Sequence, residues 1–121
     1  MRKIANAKKV VDNLFSTELL SGIVLNSSNG KQVSTTNPRT ASKEAIFLQK
    51  GKYKISHSEA DGIIICFYDY LQSNNTFLFD NNSPNAWLDN PTEFEILSDK
   101  FARFSFRNTT NTNAYIELIK I

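Results

Sequence analysis

The stretch from Gly62 to Tyr70 carries the densest apolar pattern of the chain, reading Gly-Ile-Ile-Ile-Cys-Phe-Tyr-Asp-Tyr. A strand with one face in water alternates apolar and polar residues, whereas here both alternating sets are apolar. We therefore predict a central β-strand whose two faces are both covered. The change to Tyr68-Asp69-Tyr70 marks the point where this strand leaves the core, and ligands are often bound at such strand ends.

Period-two alternation elsewhere predicts further short strands, with turns rich in Asn, Ser, Thr and Gly between them. The predicted strands cover residues 23–25, 31–35, 45–49, 52–55, 76–79, 92–97, 102–107 and 115–121, and residues 37–40 are expected to break the pairing. Close spacing without intervening helices predicts an all-β fold, a jelly-roll-like antiparallel β-sandwich. The residues expected in its core are Phe47, Tyr53, Ile55, Ile63, Ile65, Phe67, Phe94, Phe104, Phe106 and Ile116.

Residues 2–20 carry a helical pattern instead. Ile4, Ala7, Val11 and Leu14 recur at spacings of three and four, which predicts one amphipathic α-helix before the sandwich. The expected organisation is therefore an N-terminal helix over residues 1–20 and a sandwich module over residues 21–121. The four apolar residues could dock on the sandwich, or they could form an oligomerisation seam with copies of the chain or with another protein.

Composition excludes several classes of protein. The chain of 121 residues is long enough for one domain, and its net charge of +2 is spread along the sequence, which is not a nucleic-acid footprint. No apolar run is long enough for a membrane span, and the N-terminus lacks the apolar core of a signal peptide. Cys66 is expected to pack as a small hydrophobe. No cofactor and no metal are expected, although oxygen ligands near Asp80 leave a weak case for calcium.

Several short motifs occur in a fixed order between residues 21 and 121. They are Gly22-Ile23-Val24-Leu25 with Asn29-Gly30, Arg39-Thr40-Ala41-Ser42, Ile46-Phe47-Leu48, Gly51-Lys52-Tyr53-Lys54-Ile55, Phe67-Tyr68-Asp69 and Phe101-Ala102-Arg103-Phe104-Ser105-Phe106. In this order they resemble the carbohydrate-binding-module-like β-sandwich domains of phage and prophage tail proteins. The resemblance implies a virion module, in a tail, baseplate or neck appendage, that adheres to wall saccharide of a Gram-positive host. It carries over only Arg39 and the loop aromatic residues as sugar contacts, and the helix would join the module to its assembly.

Saccharides are bound by flat apolar rings beside side chains that can bond paired hydroxyl groups. The only tryptophan, Trp87, lies in the long irregular segment 80–91 among several amides. We predict that it forms a saccharide-binding surface with Tyr70, Asp69, Asn85 and Arg39. Two alternatives remain open: Trp87 could plug one end of the sandwich, and Arg39 could pair with Asp69 or Asp80 instead of with a ligand.

Catalysis and pure scaffolding are the competing functions. A glycosidase needs two carboxylates facing each other across a cleft, and the sequence pairs none of its acidic residues in this way. His57, in a predicted polar loop, has no nucleophile motif beside it. We therefore expect a protein that is not an enzyme. A sandwich that only spaces or decorates a virion, without binding sugar, stays an open alternative.

Overall fold

A computed structural model describes residues 12–121 of the chain. This part of the protein is all-β, and every pair of strands in it is antiparallel. The strands are β1 (Leu19–Ser21), β2 (Ile23–Leu25), β3 (Gln32–Ser34), β4 (Arg39–Ser42), β5 (Ile46–Leu48), β6 (Gly51–His57), β7 (Ile63–Leu71), β8 (Thr76–Phe79), β9 (Thr92–Ile96), β10 (Lys100–Arg107) and β11 (Ile116–Lys120). The prediction of an all-β antiparallel fold is confirmed.

The larger sheet has the order β1-β4-β10-β7-β8, and β5 also pairs with β10. Because residues 105–107 of β10 pair with β4 and residues 100–102 pair with β5, these two short strands lie end to end along one edge of β10. The break between them is closed by Ser42, whose hydroxyl accepts the N–H of Phe104 at 2.8 Å. Residues 43–45 therefore leave the sheet and form a rim above its outer face.

The smaller sheet has the order β11-β6-β9, and the core lies between it and the inner face of the larger sheet. Ile63, Ile65 and Phe67 point from β7 into this core. They meet fully buried residues of both sheets, which include Tyr53, Ile55, Phe104, Phe106 and Leu118. Two facing antiparallel sheets with a shared apolar core form the sandwich-like arrangement expected from the alternation pattern.

The other face of β7 is covered by the hairpin of β2 and β3. Ile64, Cys66 and Tyr68 point to this side and form a second buried cluster with Leu25 of the hairpin. The backbone N–H of Leu25 donates to the hydroxyl of Ser105 on β10 at 3.3 Å, which ties the hairpin to the sheet. The prediction that both faces of the central strand are covered is therefore confirmed.

Three details of the predicted fold are wrong. Phe47 is 51% exposed, because Ile46 and Leu48 point into the core and the alternation turns Phe47 outward. The expected break at residues 37–40 contains the start of β4, which begins at Arg39. Pro38 lies just before the strand, where its lack of a backbone N–H costs no hydrogen bond of the sheet. His57 does not lie in a polar loop, since it ends β6 and is buried.

The predicted helix over residues 2–20 lies in part outside the described residues, as do Ile4, Ala7 and Val11. Where the structure describes that segment, residues 12–18 are not helical and β1 follows. The N–H of Leu14 donates to the carbonyl of Leu118 at 2.7 Å, and Phe15 packs against the core. The described part of the segment is thus packed on the sandwich.

Candidate functional site

A row of aromatic residues crosses the outer face of the larger sheet. Phe101 on β10 is in register with Phe47 of β5 on one side and Tyr68 of β7 on the other, and Tyr68 is in register with Phe79 of β8. Residues directly opposite on neighbouring strands share one face. The row therefore spans four strands, or about 14 Å at the usual strand spacing.

A second pair extends this row toward the end of the β7–β8 hairpin. Tyr70 and Phe77 are in register, and their ring centroids are 5.0 Å apart. Phe101 connects them to the row, with its centroid 5.2 Å from that of Phe77 and 5.2 Å from that of Phe47. We call Phe47, Tyr70, Phe77 and Phe101 the aromatic surface. Three of its members are more than a third exposed: Phe47 by 51%, Phe77 by 47% and Tyr70 by 38%.

A groove of about 430 Å³ lies beside the aromatic surface. Tyr68 and Phe77 line it with aromatic rings, and the turn between β2 and β3 stands on one side. The connection between β4 and β5, residues 43–45, stands on another side. Its lining is Gly30, Lys43, Glu44, Ala45, Tyr68, Phe77 and Arg103. The groove thus combines apolar rings with charged groups of both signs.

Gly30 sets how closely the hairpin turn approaches the aromatic row. Its φ is +70°, and a Cβ atom there would lie 2.8 Å from a ring carbon of Tyr68 and would overlap Phe79. The Tyr68 hydroxyl donates to the carbonyl of Gly30 at 2.6 Å. Burial raises the pKa of Tyr68, so the phenol stays protonated and keeps donating this bond.

Arg103 brings a guanidinium group to the groove. Its Nε and Nη2 donate to the carbonyl of Ser42 at 3.1 and 2.6 Å, and Nη2 also donates to Oε1 of Gln32 at 3.0 Å. Within residues 12–121, Nη1 of Arg103 makes no hydrogen bond. The side chain is therefore fixed in direction and keeps donor capacity for a bound molecule.

Two of the predicted site residues, Asp69 and Tyr70, lie at this end of the sheet. The Tyr70 hydroxyl donates to Asn75 at 2.7 Å, and its ring forms part of the aromatic surface. Asp69 is paired with Lys100 at 2.8 Å, and Lys100 also pairs with Asp80 at 3.1 Å. The hydrogen bond to Asp69 raises the pKa of Lys100. Both carboxylates thus bind Lys100, and neither forms the ion pair with Arg39 that the sequence had left open.

Trp87 and Arg39 lie at the opposite end of β7. Trp87 precedes Leu88, which exchanges two backbone hydrogen bonds with Ile63, whereas Tyr70 is seven residues further along β7, or about 23 Å. The guanidinium carbon of Arg39 is 5.2 Å from the centroid of the Trp87 ring, and that of Arg107 is 5.1 Å away. Guanidinium groups therefore occupy at least one face of the indole.

The fifth predicted residue, Asn85, accepts a hydrogen bond from Ser27 at 2.7 Å and so connects segment 80–91 to the β2–β3 turn. The structure thus separates the predicted set into Asp69 with Tyr70 at one end and Arg39 with Trp87 at the other. Trp87 also packs against the buried cluster of Ile64, Cys66 and Tyr68 on the outer face of β7.

The sequence interpretation missed Phe47, Phe77, Phe101 and Arg103 as candidate site residues. The sequence contained a signal for Phe47. If Ile46 and Leu48 point into the core, alternation along the strand turns Phe47 to the other face of the sheet. The groove had no such signal. It depends on the register between β5 and β10 and on the path of the β2–β3 turn, which local periodicity does not specify.

The described residues contain neither a metal-binding cluster nor a membrane-spanning helix. Between residues 12 and 121, no three His, Cys, Asp or Glu side chains are grouped so as to hold a metal ion. Nor does this part of the chain contain a helix long and apolar enough to cross a membrane. At the position considered for calcium, the Asp80 carboxylate accepts a hydrogen bond from the N–H of Asn82 and pairs with Lys100.

No protein-family model matches this chain, and comparison with curated proteins and with solved structures gives no significant match. The resemblance to tail-protein modules therefore stays a prediction.

Proposed function

We propose that the protein is a non-catalytic, jelly-roll-like binding module that holds a saccharide on the aromatic surface and in the adjoining groove. The observation that carries this proposal is the exposure of Phe47, Tyr70 and Phe77 around Phe101, beside a groove that contains Arg103. In keeping with the sequence resemblance, the ligand would be a wall or surface polysaccharide of a Gram-positive host. The module would then belong to a phage tail, baseplate or appendage.

The chemistry of the surface fits a sugar ring. Exposed aromatic rings can stack on the C–H faces of a pyranose, and the rings of Tyr70 and Phe77, whose planes are inclined by 51°, offer two such platforms. At the groove, Arg103 and Lys43 can donate hydrogen bonds to ring hydroxyls, and Glu44 can accept them. Because the site is shallow and wet, we expect about 4 to 6 kcal/mol of binding free energy for one copy. Several copies on one particle would compensate by avidity.

The existing partners of the candidate acids and bases favour a binding role over catalysis. Asp69 and Asp80 share Lys100 as a partner. His57 is buried, and its Nδ1 accepts backbone N–H bonds from Glu59 and Ala60, each at 3.0 Å. A general base needs an available lone pair within reach of its substrate, and the Nδ1 lone pair of buried His57 is already engaged.

The test is a binding screen against purified walls and defined glycans, with the wild type and Phe77→Ala. Tyr115→Ala is the matched control, because Tyr115 is an aromatic residue that is 63% exposed and precedes β11, outside the aromatic surface. We expect specific binding that Phe77→Ala weakens and Tyr115→Ala preserves. Release of sugar over time would contradict the absence of catalysis, and equal binding by both variants would contradict the assigned surface.

A second candidate function is assembly with another protein, and the β7–β8 hairpin favours it. From Tyr70 to Phe79 this hairpin carries no charged residue. Leu71 and Leu78 are exposed by 37% and 48% on the face opposite to the aromatic surface. A sugar would cover only one of these faces, whereas a neighbouring virion protein or a second copy could cover both.

Leu78→Asn separates the two functions. If the hairpin binds a protein, this variant loses association in light scattering or in reconstitution with tail components, while saccharide binding is preserved. If the aromatic surface binds only sugar, Leu78→Asn changes neither property.

A further inference from the structure

Two arginines face each other at the end of the larger sheet that lies away from the groove. Arg39 of β4 is in direct register with Arg107 of β10, so both side chains point to the outer face. Both guanidinium groups contact the same indole, at 5.2 and 5.1 Å from the centroid of the Trp87 ring. Like charges placed directly opposite each other destabilise a sheet unless something compensates them.

Among residues 12–121, Arg107 forms an ion pair with a carboxylate and Arg39 forms none. Nε of Arg107 donates to Asp61 at 2.8 Å, and Nδ2 of Asn108 donates to the second oxygen of the same carboxylate. Arg39 donates from Nη1 to the carbonyl of Pro38 at 3.0 Å. Among the residues that the structure describes, it forms no ion pair and no other hydrogen bond. Two guanidinium groups against one carboxylate leave a net positive charge and unused donors on Arg39.

The position of Arg107 is fixed before any ligand arrives. Its guanidinium group lies against Gly62, where a Cβ atom would come within 2.9 Å of Nη2 and 3.0 Å of Cζ. The backbone N–H of Arg107 donates to the carbonyl of Gly62 at 3.0 Å. Packing against Gly62 and Trp87 therefore holds one cation in place, and binding an anion would cost little further ordering of this side chain.

We propose that Arg39, Arg107 and Trp87 form a binding site for a phosphate group. Arg39 supplies the unused guanidinium donors, which match phosphate oxygens in paired geometry. Arg107 adds positive charge, and the indole shields one side of the site from water. Because Asp61 is held by Arg107 and Asn108, the phosphate approaches from the side of Arg39. The site lies about 20 Å from Phe101, six residues along β10, so it stands independently of the proposed saccharide surface.

The probe is inorganic phosphate, titrated into the full chain by calorimetry and compared with chloride at equal ionic strength. We expect saturable binding that Arg39→Gln weakens about tenfold or more, the loss expected for one charge-assisted contact. The matched control is Lys54→Gln, which removes the same charge on β6 of the smaller sheet and should leave the Kd unchanged. Absence of saturable binding in the wild type, or an equal Kd for Arg39→Gln, overturns the proposal.

Two further variants keep the test valid if Arg39→Gln folds poorly. Arg39→Lys preserves the charge but loses the paired donors, so we expect weaker phosphate binding with unchanged circular dichroism. Asp61→Asn removes the carboxylate that pairs with Arg107 and should tighten binding, and unchanged binding by both variants would contradict the site. Titration with dimethyl phosphate then distinguishes the source: tighter binding than inorganic phosphate indicates a phosphodiester polymer, and weaker binding indicates free phosphate.

Discussion

The rings of Phe77 and Phe101 meet edge to face, with centroids 5.2 Å apart and planes inclined by 78°. Phe77 lies on the edge strand β8 and Phe101 on the central strand β10, so this contact passes over β7, which lies between them. It joins the exposed hairpin to the aromatic row and makes one continuous surface. Phe77 also contacts Tyr70, whose ring centroid lies 5.0 Å away, so the exposed rings form one cluster and are not scattered single residues.

The first prediction compares two phenylalanines of opposite exposure. Phe67 is 7% exposed within the core, and Phe67→Ala should lower the free energy of unfolding by about 3 to 5 kcal/mol through lost burial and a cavity. Phe47 is 51% exposed, and Phe47→Ala should cost about 1 kcal/mol or less. Urea unfolding measures both. Equal losses would contradict the outward orientation of Phe47.

The second prediction concerns the turn that borders the groove. Gly30→Ala places a methyl group against Tyr68 and Phe79 at a positive φ, so we expect a loss of about 2 kcal/mol or more. Gly22 has a similar φ of +72°, but a Cβ atom there would make only an ordinary van der Waals contact, 3.6 Å from the carbonyl oxygen of Thr35. Gly22→Ala should therefore cost only about 1 kcal/mol. Thermal unfolding of the two variants would separate steric overlap from backbone strain.

The sequence predicted the central strand β7 well, because burial leaves a direct periodic signal. Both alternating sets of β7 are apolar, and the structure covers each set with a different layer. The strand β4 was missed because Pro38 and its polar neighbours have the composition of a turn. Its pairing with β1 and β10 depends on partners distant in sequence, which local composition does not reveal.

The predicted site failed to converge because of the path of segment 80–91. Along the chain, Trp87 follows β8 closely, which suggested that it would lie near the Asp69-Tyr70 end of β7. Instead the segment continues along the edge of β7: Ser83 accepts the N–H of Phe67 at 2.9 Å, and Leu88 pairs with Ile63. These bonds carry Trp87 to the opposite end of the strand. No periodicity encodes such a path, since a side-chain hydroxyl replaces part of the strand ladder.

The third prediction is a loss of stability in mild acid that depends on His57. Its Nδ1 accepts two backbone N–H bonds and its ring is buried, and this burial lowers its pKa below the ordinary 6.5, although nearby Glu59 opposes the shift. The unfolded chain therefore binds more protons than the native chain once the pH falls below about 6.5. We expect the contribution of His57 to the free energy of unfolding to be constant above that pH. It should fall as the pH drops from about 6.5 toward the lower pKa of the folded state.

Denaturant titrations at pH 7.5, 6.5 and 5.5 would measure this slope. His57→Gln is the comparison, because it removes the titrating ring, and its stability should change less over the same interval. A wild type that gains stability on acidification, or an equal slope in both proteins, would show that His57 is not the group responsible.

The fourth prediction concerns Cys66, the single cysteine of the chain. It is fully buried beneath the β2–β3 hairpin, and burial raises the pKa of its thiol to about 11. A thiol-reactive disulfide reagent should therefore react slowly with the native protein and rapidly after unfolding, since the thiolate is the reactive form. Rapid reaction under native conditions would mean that the hairpin opens readily from the sheet.

The saccharide surface is tested most directly by a titration followed by nuclear magnetic resonance, using the wall fragment that binds most strongly. Because the chain has only one tryptophan, the indole N–H of Trp87 gives one unambiguous signal at the far end of the sheet. We expect that added saccharide shifts the backbone signals of Tyr70, Phe77 and Phe101 and leaves the Trp87 indole unchanged. A titration that shifts the Trp87 indole while those three signals stay in place would contradict it.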